Sequence, residues 1–73
     1  MDRNTVLQRL AEAEEQVVLG AHNVVRQSEV VAQLERDGYD TSGAQALLIQ
    51  LEEARALHVA ERDRLRKEAQ SQS

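Results

Sequence analysis

Two long stretches of the chain place apolar residues at helical spacing, on either side of one break centred on Gly38. Residues seven apart lie on the same side of an α-helix, whereas a half-buried strand alternates apolar and polar residues. The first stretch holds two adjacent seven-residue series, Leu10, Val17, Val24 and Val31, and then Ala11, Val18, Val25 and Ala32. We therefore predict a helix from about residue 4 to residue 37.

The second stretch advances by alternating steps of three and four residues, which is the spacing of a heptad seam between packed helices. The members of this seam are Ala44, Leu47, Leu51, Ala54, His58, Glu61 and Leu65. The residues that widen the apolar surface beyond the seam are Leu48, Ile49, Ala56, Leu57 and Ala60. The pattern predicts a helix from about residue 42 to residue 68, followed by a frayed tail over residues 69–73.

The break itself, LERDGYDTSGA over residues 34–44, has the acids and the glycine of a calcium-binding loop. With Gly38 at the sixth loop position, Glu35 and Asp37 fall at the third and fifth positions. The first position is then Gln33 and the twelfth is Ala44, so the first ligand and the bidentate ligand are both missing. We predict no calcium site here.

A helix stop followed by a helix start explains more of this segment. Gly38 suits the left-handed position that ends a helix, and this places the apolar Leu34 and Tyr39 at the two positions that touch in a Schellman cap. Asp40, Thr41 or Ser42 could cap the second helix; Thr41 is our preferred N-cap, with Asp40 adding negative charge at the positive end of the helix. We predict a turn over residues 38–41.

Composition restricts the fold class to packed helices. The chain has no cysteine, proline, tryptophan or phenylalanine and a single tyrosine, so we expect a core of leucine, valine, alanine and one isoleucine. A short turn makes consecutive helices antiparallel neighbours. The expected fold is an all-α, two-helix antiparallel hairpin of the coiled-coil type, with Val31 near Leu48 and Ala21 near His58.

Composition also restricts localisation and partners. The absence of cysteine excludes disulfides and thiolate metal sites and fits a reducing cytoplasm. The first residues lack the apolar run of a signal peptide, and no segment approaches the length of a membrane span. The net charge of −4 disfavours a general nucleic-acid binder. We expect a cytoplasmic protein that binds neither membrane nor nucleic acid.

The two histidines are the main candidates for chemistry. His58 lies in the second seam, where we expect a buried or half-buried core histidine; with Glu61 it supplies too few ligands for a metal site. The segment GAHNVVRQ around His22 resembles the phosphoacceptor helix of histidine kinases and phosphotransfer domains, which implies phosphate transfer through His22 as an alternative function. It departs from that pattern at Asn23, where an acid usually follows the histidine. The sequence predicts no catalytic residue, cofactor, metal or small-molecule substrate, and hence no enzyme.

A basic cluster near the end of the second stretch allows another alternative, a small DNA-associated regulator. The cluster consists of Arg62, Arg64, Arg66 and Lys67. Acidic residues interrupt it and no aromatic side chain is present for base stacking. The same bases also suit the negative end of a helix.

The phrase LERDGYDT between two heptad-like arms, together with ALHVAERDRLR in the second arm, resembles a group of small uncharacterised bacterial helical-hairpin proteins. The resemblance implies a bacterial helical hairpin, and it implies no activity and no functional residues.

The apolar residues exceed what one hairpin can cover, because each helix can hide only one stripe against the other. We predict that the chain acts through protein–protein contact and associates with itself, as a homodimeric four-helix bundle or a tetramer. The predicted interface residues are Val17, Val18, Val24, Val25, Val31, Leu47, Leu48, Leu51, Ala54 and His58.

Overall fold

The computed structural model describes residues 2–71, which form two α-helices and a connecting turn. Helix α1 covers Arg3–Arg36 and helix α2 covers Ser42–Ser71. The helices pack side by side in a rod of 55 × 14 × 13 Å, and residues 2–71 contain no strand. The predictions of an all-α fold and of a helical hairpin are confirmed.

The helix bounds agree with the sequence pattern except at the end of α2. Helix α1 is displaced from its predicted limits by one residue at each end. Helix α2 continues to Ser71, three residues beyond the predicted end, and Ala69 is buried against α1. Residues 69–71 are therefore helical rather than frayed. The rest of the predicted tail, residues 72 and 73, lies outside the described residues.

A Schellman cap ends α1 as predicted. The Tyr39 N–H donates to the Leu34 carbonyl at 2.9 Å, and the Gly38 N–H donates to the Glu35 carbonyl at 3.1 Å. Gly38 has φ +79°, a conformation that costs a residue with a side chain about 1 kcal/mol or more. Tyr39 remains 67% exposed, so most of its ring lies in solvent rather than against Leu34.

The start of α2 differs in one detail from the prediction. Thr41 stands at the N-cap position, and its carbonyl accepts the first helical hydrogen bond from the Gln45 N–H at 2.8 Å. The capping side chain is that of Asp40, whose Oδ1 accepts from the Ser42 N–H at 3.0 Å and from the Ser42 hydroxyl at 2.9 Å. These two donors lower the pKa of the Asp40 carboxyl, because they stabilise its charged form.

The best-packed part of the core lies at the open end of the hairpin, away from the turn. Val6 and Leu65 are almost fully buried, and Ala13 and Ala69 pack with them. The Arg3 guanidinium donates to the Ala69 carbonyl at 3.1 Å, which places a cation at the negative end of α2.

The seam of α2 is rotated relative to the predicted one. The series Ala44, Leu51, His58 and Leu65 faces α1 as expected, since all four are half-buried or buried. Its companion series is Leu48, Arg55, Arg62 and Ala69, instead of Leu47, Ala54 and Glu61. Leu48, Arg62 and Ala69 are buried or half-buried, and Arg55, although exposed overall, has the base of its side chain beside Gly20. Leu47, Ala54 and Glu61 are exposed and flank this series, so the prediction that they belong to the seam is wrong.

The pairing between the helices also differs by about one helical turn. A Cβ on Gly20 would lie 3.5 Å from Cβ of Arg55, so these residues are level with each other. His58 lines a surface groove together with Arg9 and Gln16. The prediction that Ala21 lies beside His58 is therefore wrong, although Gly20 does accommodate a close approach by α2.

The Schellman cap predicts opposite effects for two glycine-to-alanine changes. Gly38→Ala should lower the free energy of unfolding by about 1 kcal/mol, because its left-handed backbone disfavours a side chain. Gly43→Ala should leave stability unchanged or raise it by up to about 1 kcal/mol, because Gly43 is helical and has open space around it. Urea unfolding followed by circular dichroism measures both changes. Equal effects of the two substitutions on the free energy of unfolding would contradict this account of the turn. A rise of several degrees in melting temperature on adding calcium would also contradict it.

The cap on α2 predicts a dependence of stability on pH. The pKa of Asp40 is lower in the folded chain than in the unfolded chain, so its carboxylate stabilises the fold above the ordinary aspartate pKa of about 3.9. This contribution disappears as the pH falls through the folded-state pKa. Asp40→Ala should therefore lower the melting temperature at neutral pH and have a much smaller effect in strong acid. Glu53→Ala, which removes an exposed carboxylate inside α2, is the control and should show no such difference.

Candidate interaction surface

Large apolar side chains remain in solvent on both sides of the closed hairpin. A hairpin of this size normally buries such groups or uses them in an interface. The exposed set is Leu7, Val18, Leu19, Val25, Val30, Tyr39, Leu47, Ile49 and Leu57.

One side of the hairpin carries a second apolar seam, which we call the valine face. Along α1 it advances by steps of four and three through residues 7, 11, 14, 18, 21, 25, 28 and 32, and Glu14 is the one charged residue in this series. The apolar members of the face are Leu7, Ala11, Val18, Ala21, Val25 and Ala32 of α1, with Ile49, Ala56 and Val59 of α2. Val18, Val25 and Ile49 are each more than half exposed.

The Glu14 carboxylate shows that both helices contribute to this face. It lies in the α1 series between Ala11 and Val18, and it pairs with the Arg66 guanidinium of α2 at 3.5 Å. Arg66 is two turns beyond Val59 on the same side of α2. The pair is exposed, so it contributes little to stability, and it interrupts the apolar surface between Ala11 and Val18.

The opposite side, which we call the leucine face, is more polar. It consists of Leu19 and Val30 of α1 with Leu47, Ala54 and Leu57 of α2. Arg9, Glu12, Gln16, Asn23, Arg26 and Gln33 separate or flank its two apolar positions on α1. Near the turn it contains a groove of about 700 Å³ between Val30 and Leu47, where the Gln27 amide donates to the Ala44 carbonyl at 2.9 Å.

The ten predicted interface residues fall into three groups in the hairpin. Val17 and Val31 are buried between the helices, and Val24, Leu48, Leu51 and His58 are half-buried there. Val18 and Val25 are exposed on the valine face, whereas Leu47 and Ala54 are exposed on the leucine face. A single surface therefore does not contain all ten. The predicted interface set omits Ala21, Ile49, Ala56 and Val59. The sequence pattern assigns Ile49 and Ala56 to the wider apolar surface of the second helix, but not to the interface.

The basic cluster of α2 is largely engaged with acids. Arg64 lies 2.7 Å from Glu61 and 3.4 Å from Glu68, and Arg62 lies 2.9 Å from Asp63. The Arg64 guanidinium holds the pKa of Glu61 below its ordinary value. Alternating charges of both signs cover this end of α2 instead of a continuous basic surface.

The histidines and acids do not form a metal site in the part of the chain that the structure describes. Residues 2–71 contain no cluster of three or more potential histidine, cysteine, aspartate or glutamate ligands. His22 is exposed on the outer side of α1, and His58 is half-buried beside Glu61. The candidate functional feature of residues 2–71 is therefore their exposed apolar surface.

Neither α1 nor α2 has a stretch long and apolar enough to cross a lipid bilayer. Comparisons of the chain with protein-family models, with curated proteins and with solved structures give no match.

Proposed function

We propose that the chain is a self-associating helical hairpin that works in the cytoplasm through protein–protein contact. The valine face supports this proposal most directly, because it is a regular apolar seam with no covering element among residues 2–71. The partner that we propose is a second copy of the chain, and the product is a four-helix bundle. Two such dimers forming a tetramer is the alternative assembly.

The energetics favour association over an exposed seam. Burying about 600 Å² of apolar surface contributes about 15 kcal/mol at roughly 25 cal/mol per Å². The cost of bringing two molecules together is about 4–15 kcal/mol. The balance is favourable or neutral, and a small chain with few fully buried side chains gains the most from a second core.

The two alternative functions have narrower support. His22 is exposed and accessible to a kinase, but Asn23 follows it where an acid is usual in phosphoacceptor helices. Three arginines of the basic cluster, Arg62, Arg64 and Arg66, form ion pairs with carboxylates of the same chain. This pairing weakens their attraction to a phosphate backbone.

A matched pair of valine substitutions tests the proposal. Val25→Glu introduces a carboxylate into the valine face, where a buried unpaired charge is strongly destabilising. Val30→Glu makes the same change on the leucine face at a similarly exposed valine (56% for Val25 and 45% for Val30). Light scattering after gel filtration should give twice the 8.2 kDa chain mass for the unaltered protein and for Val30→Glu, and the single mass for Val25→Glu.

Circular dichroism of the same samples reports the second consequence. Val25→Glu should also lose most of its helical signal, because the separated hairpin lacks the second core. An unaltered protein that remains at 8.2 kDa at high concentration would contradict the proposal. A Val25→Glu protein that remains dimeric would show that the valine face is not the interface.

A further inference from the structure

The most outward series of the valine face on α1 has the same pattern in both chain directions. This series is Ala11, Val18, Val25 and Ala32, so the two large residues lie between two small ones. A two-fold axis that crosses α1 between residues 21 and 22 exchanges Val18 with Val25 and Ala11 with Ala32. Self-complementary surfaces of this kind are what a two-fold dimer requires, because each contact occurs twice.

The charge of the hairpin is divided unequally along its length. The turn half, residues 21–54, holds six acidic and two basic side chains, whereas the open half, residues 2–20 and 55–71, holds seven of each. The whole net charge of −4 therefore belongs to the turn half. Two hairpins packed with their turns together would bring these two negative halves into contact, and opposite-end packing would separate them.

We propose that two copies pack through their valine faces in antiparallel orientation, with their turns at opposite ends of the bundle. This inference rests on the self-association proposed above and specifies its geometry. Helix α1 lies along α1 of the second copy, and α2 lies along α2. Ala21 lies next to the two-fold axis, where its small side chain permits close approach of the backbones.

The pairing of the helices within one hairpin adds an electrostatic argument. Gly20 is level with Arg55, so the axis that crosses α1 at residues 21 and 22 crosses α2 at residues 53 and 54. Glu52 then comes opposite the partner subunit's Arg55, and the symmetric pair forms as well. Neither Glu52 nor Arg55 forms an ion pair within residues 2–71, and both are exposed.

The distance between the two turns tests the orientation. The chain has no cysteine, so Tyr39→Cys provides a single attachment point for a spin label at the exposed tip of the hairpin. In each copy, about seventeen residues of α1 separate the turn from the two-fold axis. A rise of 1.5 Å per residue then places the two turns about 50 Å apart. Pulsed electron paramagnetic resonance should measure a value near this, close to the 55 Å length of one hairpin. A distance less than half that length would overturn the antiparallel orientation.

Cysteine cross-linking tests the position of the axis. Ala21→Cys places two thiols across the axis within disulfide range, so mild oxidation should convert most of the protein to a covalent dimer. Asn23→Cys, two residues along and on the leucine face, is the control and should remain reduced. Cross-linking of Asn23→Cys but not of Ala21→Cys would overturn the assignment of the face.

The outcomes distinguish this inference from the proposal on which it rests. A labelled protein with the mass of one chain would overturn both the self-association and its geometry. A protein with twice the chain mass and a short distance between the turns would leave the self-association standing and reject only the orientation.

Discussion

Each helix of a two-helix hairpin has one neighbour, and that neighbour covers one stripe of its surface. Helix α1 uses the stripe of Val17, Val24 and Val31 against α2. Val18 and Val25, one position further along, then have no covering element among residues 2–71 of the same chain. The distribution of burial in the chain follows from this constraint, and so does our proposal that a second copy supplies the missing cover.

The turn determines which surfaces are left uncovered. Gly38 ends α1 in a left-handed conformation, and the Asp40 carboxylate caps the start of α2 by accepting from the Ser42 N–H. Because the connection is short and capped on both sides, α2 returns directly along α1. The seams of the two helices then pack against each other along a single rod. The valine face then lies on one flat side of that rod, with contributions from both helices, as a bundle interface requires.

Local signals made the helices and the turn predictable from the sequence, whereas the pairing of the helices was not. The Gly38 cap, the helix bounds and the first seam depend on residues close together in the chain. The seam of α2 was ambiguous because Leu47 and Leu48 both extend the series that contains Leu51 and Leu65. Packing along the whole rod selects Leu48, and it places Arg55 in the seam because Gly20 leaves room for its aliphatic stem. The apolar pattern favoured Leu47 and Ala54 over an arginine, so Leu48 was expected outside the seam. Ile49 and Leu57, which were also expected outside it, are exposed.

The central claim is that the folded hairpin depends on association with a second copy, and the concentration dependence of thermal unfolding tests it most directly. Unfolding of a dimer releases two chains, so mass action links the melting temperature to concentration. Thermal melts followed by circular dichroism over about a hundredfold range of concentration should show the melting temperature rising by several degrees. A melting temperature that stays constant over this range, at a mass of 8.2 kDa, would contradict the account.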